Sequence, residues 1–299
     1  MLSHPAGGKE EDRRCGTSAA VRLTLLQGSK APAMTTEVDL LRTRADRYLD
    51  EAPRSDSEAI SVGALTLFVS RTPWAYYARP DRSGRAVRQR DLVRLRRACA
   101  NWRQPLQLEW IRELHLSLEA MVREFGLMIS AHPLLVMTHE MFGAQRRSVR
   151  TVVLDPEDPR LLKARAVAHV AFDQAMGAQA GVAQREARFV QLDADEIRHV
   201  LDRARSGRTV TGIAIQEGSG VVAVGSYNRV GDTAEIVGVG TLPAYRRHGF
   251  GSEVVQLLCE NAFASGIRLV LLAAEDEPAA QIYQRLGFRR IGTCMGAEE

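Results

Sequence analysis

A glycine-containing turn between a strand and a helix is the part of this sequence best suited to chemistry. Residues 235–252 read EIVGVGTLPAYRRHGFGS, in which a β-branched strand breaks at Pro243 and the pattern Arg246-x-x-Gly249-x-Gly251 leads into an apolar helix. The first N–H groups of a helix lack internal partners and carry partial positive charge, and glycines let a phosphate approach them closely. Arginine adds charge-assisted hydrogen bonds. The turn is predicted to bind a pyrophosphate, and a tight turn without a ligand is the alternative.

A second motif follows on the far side of that helix. Leu269 to Ala273 reads as a strand, Pro278 opens a helix that carries Tyr283, and this helix ends at L-G-F, residues 286–288. In this order and spacing, the two motifs resemble the GNAT superfamily of acetyl-CoA-dependent N-acetyltransferases. The resemblance covers roughly residues 150–299. It is specific for the fold and the acetyl donor and says nothing about the acceptor.

The resemblance implies acetyl-CoA as the co-substrate and assigns residues to it. In the family, the strand before the turn binds the pantetheine through its backbone and diverges from the next strand, leaving a slot. Here that edge would be Val239, Gly240 and Thr241, with the N–H of Val239 or a neighbour as oxyanion donor. The diphosphate would be bound by Arg246, Arg247, His248, Gly249, Phe250, Gly251 and Ser252. The side chains of Arg247 and His248 are expected to stay solvated while their N–H groups bind.

Two side chains are candidates for catalysis. Tyr283 matches the family tyrosine that lies near the coenzyme sulfur and can protonate it, and packing on the inner side of a short helix is the alternative. Glu235 lies on the strand of the slot, and alternation places it on the same side as Val237, Val239 and Thr241. Relatives often deprotonate the amine from that position, but a solvated carboxylate at the start of a strand fits equally well.

Other residues near the site have structural interpretations. Gly238 and Gly240 are unfavourable inside a strand, so they predict a bulge or close approach of a ligand, with a merely flexible strand as the alternative. Asp276 stands where many relatives have an asparagine that contacts the cofactor. It can cap the following helix, although its charge would weaken that contact. His169 and His199 lie on predicted helices and are expected to be surface or core residues.

The elements that must position these residues follow from hydrophobic periodicity. In the C-terminal half we expect strands at 149–154, 209–216, 221–230, 233–241, 269–273 and 290–293, and helices at 161–176, 194–204, 252–264 and 278–286. This order matches the GNAT fold. In the N-terminal half we expect strands at 62–68, 106–111 and 133–137 and a helix that ends at 125–127.

The two halves resemble one another. A shift of 161 residues places Gly126 on Gly287 and residues 106–111 on 267–272. The same shift puts Val122 at the position of Tyr283, and the segment 80–85 has one glycine where the C-terminal turn has two. The N-terminal copy would therefore have lost both the turn that binds pyrophosphate and the tyrosine that protonates the thiolate. The alternative is that two αβ segments resemble one another by chance. The expected fold class is α/β (α+β), with two GNAT-like domains at 37–145 and 146–299, each a mixed twisted sheet flanked by helices.

Composition sets limits on the class of protein. The chain has 299 residues, 45% of them hydrophobic, which suits two domains of ordinary size. No apolar stretch approaches the ~18 residues of a membrane helix, residues 1–36 have the composition of a disordered tail, and Met34 is a candidate start. The four scattered cysteines predict neither disulfides nor a metal site. We expect a cytoplasmic protein, monomeric or homodimeric, without a membrane partner.

An arginine-rich segment raises the question of nucleic-acid binding. Residues 82–97 contain seven arginines, which could follow phosphates. Leu92, Leu95, Cys99 and Trp102 instead form the apolar stripe of one amphipathic helix, with the arginines on its solvated face. We therefore expect no nucleic-acid partner. The predicted activity is acetyl transfer to a primary amine of a small molecule or peptide by direct attack in a ternary complex, and the alternative is a non-catalytic acyl-CoA-binding module.

Overall fold

Helices and strands alternate along the chain, which a computed structural model describes for residues 36–72, 74–143 and 148–299. The helices are α1 (Glu37–Glu51), α2 (Gln89–Trp102), α3 (Leu118–Glu124), α4 (Arg160–Phe172), α5 (Val182–Phe189), α6 (Ala194–Arg205), α7 (Phe250–Ala264) and α8 (Glu277–Arg285). The strands are β1 (Ser57–Val62), β2 (Leu65–Ser70), β3 (Arg79–Pro80), β4 (Gln107–Ile111), β5 (Met128–Thr138), β6 (Arg150–Val153), β7 (Thr209–Gln216), β8 (Gly220–Val230), β9 (Thr233–Thr241), β10 (Leu269–Ala273) and β11 (Arg289–Glu298). None of the described helices combines the length and the apolar character needed to cross a bilayer.

The strands form two sheets. β1, β2 and β3 make a small antiparallel sheet, and the other eight strands make a large one in the order β4-β11-β5-β10-β9-β8-β7-β6. In the large sheet β9 and β10 run parallel, whereas the neighbouring pairs on either side of them run antiparallel. The predicted mixed α/β class is confirmed.

Strands from the two halves of the chain interleave at the centre of the large sheet. β5 lies between β10 and β11, and β11 lies between β4 and β5. The middle of the β5–β11 ladder joins Pro133 to Thr293 and His132 to Cys294. The predicted boundary between residues 145 and 146 therefore falls between strands of one sheet, and the division into two domains stays a prediction.

Apolar helix faces cover the large sheet on both sides. α7 packs on one face, where Val254 and Leu258 approach Gly225 of β8. α4 packs on the opposite face, where Ala171 approaches Gly240 of β9. α1 covers β10 and β11 through a stripe that includes the buried Tyr48. These three helices fix the positions of the strands that build the candidate site.

The N-terminal half differs from the sequence predictions in several places, among them β5, which begins at Met128 and not at residue 133. The single strand predicted at 62–68 is a hairpin of β1 and β2, because Gly63 (φ 66°) turns the chain between them. Helix α1, for which no prediction was made, is capped by Thr36, whose hydroxyl forms a capping box with the Asp39 carboxylate. On α2 the predicted apolar stripe is buried except for Trp102, which is 48% exposed because it lies at the last turn of the helix. The predicted tail lies outside the described residues, apart from Thr36.

The C-terminal half follows the predictions more closely. β7, β9 and β10 have the predicted bounds, and α7 begins at Phe250 rather than Ser252. α4 ends at Phe172 instead of Met176, and β11 is longer than the predicted strand because it pairs with both β4 and β5. The short helix α5 was not predicted.

Candidate active site

β9 and β10 open a slot in the large sheet. They pair at three positions, the last of which joins Glu235 to Leu271. β9 continues to Thr241 and β10 to Ala273 without further pairing to each other. Backbone N–H and C=O groups along the two diverging edges are therefore available to a ligand. The expected divergence of these strands is confirmed.

A β-bulge shapes the β9 side of the slot. Ser226 pairs with Val237 and Val224 pairs with Gly240, so two residues of β9 oppose one residue of β8. Gly238 within the bulge has φ 61°, a conformation that favours glycine. The bulge predicted from the strand glycines is therefore present.

The bulge reverses the alternation of side chains at the end of β9. Val239 and Thr241 both face Gly251 of α7, where a Cβ would lie 3.7 Å from the Val239 side chain and 3.4 Å from that of Thr241. The prediction that they share the side of Glu235 is wrong, because one inserted residue moves the following side chains to the opposite face. Gly240 faces α4 instead, and a Cβ there would lie 2.8 Å from a side-chain carbon of that helix.

The start of α7 has the geometry of an anion-binding site. Gly249 is the N-cap, with φ 81° and no side-chain cap. The first intrahelical bond of α7 is donated by the Glu253 N–H to the Gly249 carbonyl, at 3.1 Å. The N–H groups of Phe250, Gly251 and Ser252 precede that bond and have no partner within the helix. With the helix dipole, these three donors favour binding of a phosphate.

Two polar side chains of the turn, Arg246 and His248, contact backbone carbonyls. Arg246 donates to the carbonyl of Ala171 at 2.7 Å and to that of Thr241 at 3.3 Å. His248 Nδ1 lies 2.8 Å from the Arg246 carbonyl. Arg247 is exposed and has φ 66°, which is uncommon for a residue other than glycine. Arg246 thus braces the turn against α4, and its predicted contact with the diphosphate stays a prediction.

The slot and the turn share one cleft of about 860 Å³, a volume typical of ligand sites. The predicted site residues that line it are Glu235, Val239, Gly240, Thr241, Arg246, Arg247, Gly249, Phe250, Gly251, Ser252 and Tyr283. Its lining does not include His248 or Asp276. The structure therefore brings eleven of the thirteen predicted residues to one cavity, while their roles stay predictions.

Helix α8 carries Tyr283 into the cleft. The ring packs edge-on against Phe288, with centroids 5.9 Å apart, and its hydroxyl makes no hydrogen bond within the described part of the chain. Burial, with a smaller contribution from Glu275, raises the pKa of Tyr283, so the hydroxyl is protonated at neutral pH. Asp276 caps the same helix by accepting the Ala279 N–H at 2.8 Å, as predicted. The Asp276 carboxylate thus interacts with the start of α8, and Asp276 does not line the cleft.

Glu235 is partly buried at the point where β9 and β10 separate. Burial raises the pKa of Glu235 to about 8, and the negative charge of Glu109 acts in the same direction. Arg79 and the Tyr48 hydroxyl oppose the rise. A carboxylate with this pKa is a stronger base than an ordinary one and is better matched to an ammonium group near neutral pH.

A second cavity of about 540 Å³ also reaches Glu235. Its wall is built by α1, the segment 74–77, β4 and parts of α6 and β8, and includes Tyr48, Trp74, Tyr76, Tyr77, Arg79, Glu109, His199, Arg203, Arg208 and Asn228. Among the described residues, Glu235 alone lines both this cavity and the cleft. The carboxyl group therefore lies where the two spaces meet.

The two histidines considered from the sequence have different surroundings. His169 Nε2 lies 2.6 Å from the Glu196 carboxylate and outside both cavities. His199 packs against Trp74 with the rings tilted by 48° and their centroids 4.3 Å apart, and it lines the second cavity. Burial, followed by the charge of Arg203, lowers the pKa of His199 and favours a neutral ring. His169 is thus a structural residue, as expected.

Sequence reasoning missed the groups that surround Glu235 from the N-terminal half. Tyr48 could have been found, because the capping box at Thr36 and apolar residues at Leu41, Ala45 and Leu49 mark an amphipathic helix. Glu109 and Arg79 had no such signal. From sequence alone, a charged side chain on a strand is predicted to face solvent, because the element that covers it is not yet known.

Comparison with known families agrees with this geometry. Residues 179–288 match the model of the acetyltransferase (GNAT) family. This chain contains a GNAT acetyltransferase domain. The GNAT match spans the strands of the slot, the turn, α7 and α8. The family and the fold support acyl-CoA-dependent acetyl transfer in general. No curated protein matches the sequence.

Solved structures share the GNAT fold over most of their length. A GCN5-related N-acetyltransferase from Kribbella flavida is 20% identical, with a TM-score of 0.69 over 87% of this chain and 95% of that one. A functionally unknown conserved protein from Staphylococcus epidermidis ATCC 12228 is 16% identical, with a TM-score of 0.57 over 84% and 96%. A tandem GNAT protein from the clavulanic acid biosynthesis pathway is 15% identical, with a TM-score of 0.52 over 85% and 93%. These identities show the fold alone.

Proposed function

We propose that this protein is an N-acetyltransferase that moves the acetyl group of acetyl-CoA to a primary amine by direct attack in a ternary complex. The observation that carries the proposal is the position of Glu235, which lines both the 860 Å³ cleft and the 540 Å³ cavity. A donor in one space and an acceptor in the other would meet at this carboxyl group. No acyl-enzyme is needed, because the amine itself attacks the thioester.

The donor side is supported by complementary backbone groups. The unpaired edge of β9 would hold the pantetheine, and the N–H groups of Phe250, Gly251 and Ser252 would bind the diphosphate. The bulge at Gly238 turns backbone N–H groups of β9 out of the β8 ladder. One of them, that of Val239 or a neighbour, would stabilise the oxyanion of the tetrahedral intermediate.

Two side chains would move protons. Glu235 would take a proton from the ammonium group, directly or through water, since its pKa of about 8 lies close to that needed near neutral pH. Tyr283 would give its hydroxyl proton to the departing thiolate of coenzyme A. Its raised pKa keeps that proton in place until the thiolate forms.

The N-terminal half would be a degenerate copy that binds no donor. The helix in the corresponding position, α2, has its first turn occupied by the chain itself: the Asp91 carboxylate accepts the Arg88 N–H at 3.0 Å. Asp91 is buried, and an internal carboxylate at that helix start repels a phosphate. The start of α7 has no side-chain cap. We therefore expect one acetyl-CoA per chain.

The alternative is an acyl-CoA-binding module without catalysis. Titration of acetyl-CoA into the purified protein by calorimetry measures binding, and release of free coenzyme A thiol with a panel of primary amines measures transfer. Binding at one site per chain with amine-dependent thiol release is the expected result. Binding without thiol release above the background of thioester hydrolysis, for every amine, would favour the module. Absence of binding by the folded protein would overturn both.

A further inference from the structure

The second cavity has the character of a site for the acceptor, and its wall limits the kind of amine that it can take. We propose that the acceptor is an arylalkylamine, a primary amine on a flat aromatic body, bound in this cavity with its amine at Glu235. The proposal rests on the function proposed above and names the substrate class of the same site. The aromatic wall, the pairing of the charged groups and the fixation of Trp74 support it.

Four aromatic side chains, Tyr48, Trp74, Tyr76 and Tyr77, line the cavity, and the three tyrosine hydroxyls are already bound. Tyr48 donates its hydroxyl to the Asn228 carbonyl at 2.9 Å, and Tyr76 donates to Asp56 at 3.1 Å. The Tyr77 hydroxyl is bound to Glu298. Because these hydroxyls have protein partners, the rings, rather than the hydroxyls, are the groups left to contact a ligand. Aromatic rings recognise flat apolar surfaces.

The charged side chains of the wall are paired with one another. Arg79 is fully buried and binds both Asp46, at 3.0 Å, and Glu109. Arg203 and Arg208 both bind the buried Asp56 carboxylate. A charged group of a ligand could bind one of these side chains only by displacing its partner from an ion pair.

The remaining charged groups at this cavity leave a single acid for the ligand. Glu51 at its rim binds Arg47, at 2.8 Å, and Arg82. Arg229 lies on the face of β8 opposite to Asn228, which pairs with Glu235. Glu235 is in no ion pair within the described part of the chain. One free carboxylic acid suits one amine, whereas a polyamine or an amino sugar with several ammonium groups would need several.

Trp74 is held in place by residues of the C-terminal half. The ring of His199 of α6 packs against the indole at a tilt of 48°, with centroids 4.3 Å apart, and the Arg165 guanidinium lies 5.8 Å from the ring centroid. The indole remains 37% exposed and lines the cavity. A ring fixed on one side and open on the other is suited to stacking with a ligand ring. This fixation also reduces the entropy lost on binding.

The test compares three tryptophan variants and two amines. Trp102 of α2 is 48% exposed and lines neither cavity, so Trp102→Ala is the matched control for Trp74→Ala. Steady-state thiol release is measured with phenethylamine and with spermidine at saturating acetyl-CoA. We expect a higher kcat/KM for phenethylamine than for spermidine, lowered about tenfold or more through KM in Trp74→Ala and retained in Trp102→Ala. Trp74→Phe, which keeps an aromatic ring, should lose less than Trp74→Ala. Thermal unfolding confirms that each variant is folded.

Equilibrium binding separates this proposal from the proposed function. Calorimetry of phenethylamine with the protein alone detects the acceptor site whether or not transfer occurs. Phenethylamine binding that Trp74→Ala weakens, without thiol release, would support the aromatic site and reject the transferase. Faster transfer to spermidine, or equal effects of Trp74→Ala and Trp102→Ala on phenethylamine, would overturn the arylalkylamine proposal and leave the transferase in place.

Discussion

Glu235 of β9 pairs with Leu271 of β10 at the last position where these strands are joined. Beyond this pair the backbone edges separate, and the cleft for the proposed donor begins. On the same β9 residue, the side chain reaches the cavity surrounded by residues of the N-terminal half. Glu235 therefore marks the point where the two strands separate. Among the described residues it is also the only acid that lines both the cleft and the second cavity.

Glu235→Gln should remove a pH-dependent limb of the acetyl-transfer rate. The wild-type rate is expected to rise with pH through about 8, because the base is the ionised carboxylate and burial raises its pKa to that value. Glutamine accepts no proton, so kcat/KM above pH 8 should fall about 100-fold or more. The profile is measured with two amines of different pKa. A limb that moves with the pKa of the amine, and persists in the variant, would assign it to the substrate instead.

Tyr283→Phe should lower turnover without lowering stability. The lost hydroxyl makes no hydrogen bond within the described part of the chain, so the free energy of unfolding should change little. If it protonates the thiolate, kcat should fall about 100-fold, with KM for acetyl-CoA nearly unchanged. The matched control is Tyr227→Phe, which removes a buried bond to Asn261 (2.8 Å) and should lower stability but leave kcat intact. An unchanged kcat in Tyr283→Phe would reject the acid role.

Ser252→Glu should abolish tight binding of acetyl-CoA while keeping the fold. The new carboxylate would lie among the unpaired N–H groups of the first turn of α7 and repel the diphosphate. An acid at this position is favourable for the helix itself, by about 0.3–1 kcal/mol, so the melting temperature should not fall. Calorimetry should show at least a tenfold weaker affinity than for Ser252→Ala. Equal affinities for the two variants would place the diphosphate elsewhere. Gly249 is a less suitable position, because its φ of 81° strains any other residue.

Gly240→Ala should destabilise the protein, and Ala171→Gly should relieve part of the loss. A Cβ on Gly240 would lie 2.8 Å from the Cβ of Ala171, closer than two carbons can pack. Overpacking of this kind costs about 1–3 kcal/mol. In chemical denaturation the double variant should lose less than the sum of the two single losses. Simple additivity would show that β9 moves away from α4 to accept the methyl group.

Asp56→Asn should reduce stability most at neutral pH. Burial alone would raise the pKa of Asp56, but Arg208 and Arg203 outweigh it and the pKa is lowered. A lowered folded-state pKa means that the carboxylate stabilises the fold above its unfolded pKa and that this contribution is lost as the pH falls through the folded value. The difference in unfolding free energy between wild type and variant should therefore be largest near pH 7 and shrink below about pH 4. A difference independent of pH would argue against an ion-pair effect.

The turn and its flanking elements could be predicted because their signals are local. Strand β9, the glycine at the helix start and the proline of α8 each restrict the backbone within a few residues. The bulge was foreseen from Gly238, but its effect on Val239 and Thr241 was not. Alternation is counted along one strand, whereas a bulge is defined by the pairing of two. That pairing is a tertiary property.

The second cavity could not be predicted because its groups come from distant parts of the chain. Tyr48, Arg79 and Glu109 reach Glu235 only after α1 and β4 have docked on the C-terminal strands. The pKa of Glu235 depends on that docking as well, since burial is its largest cause. A sequence shows which residues can ionise, but the dielectric environment that shifts them is fixed by the fold.

The interleaving of β5 and β11 also bears on how the chain could be divided. Both neighbours of β11, the strands β4 and β5, come before residue 146. A fragment that begins there would expose both edges of β11 and one edge of β10, and would aggregate or borrow the missing strands from another molecule. Gene truncation between the halves is thus expected to yield strand-exchanged dimers or no soluble product.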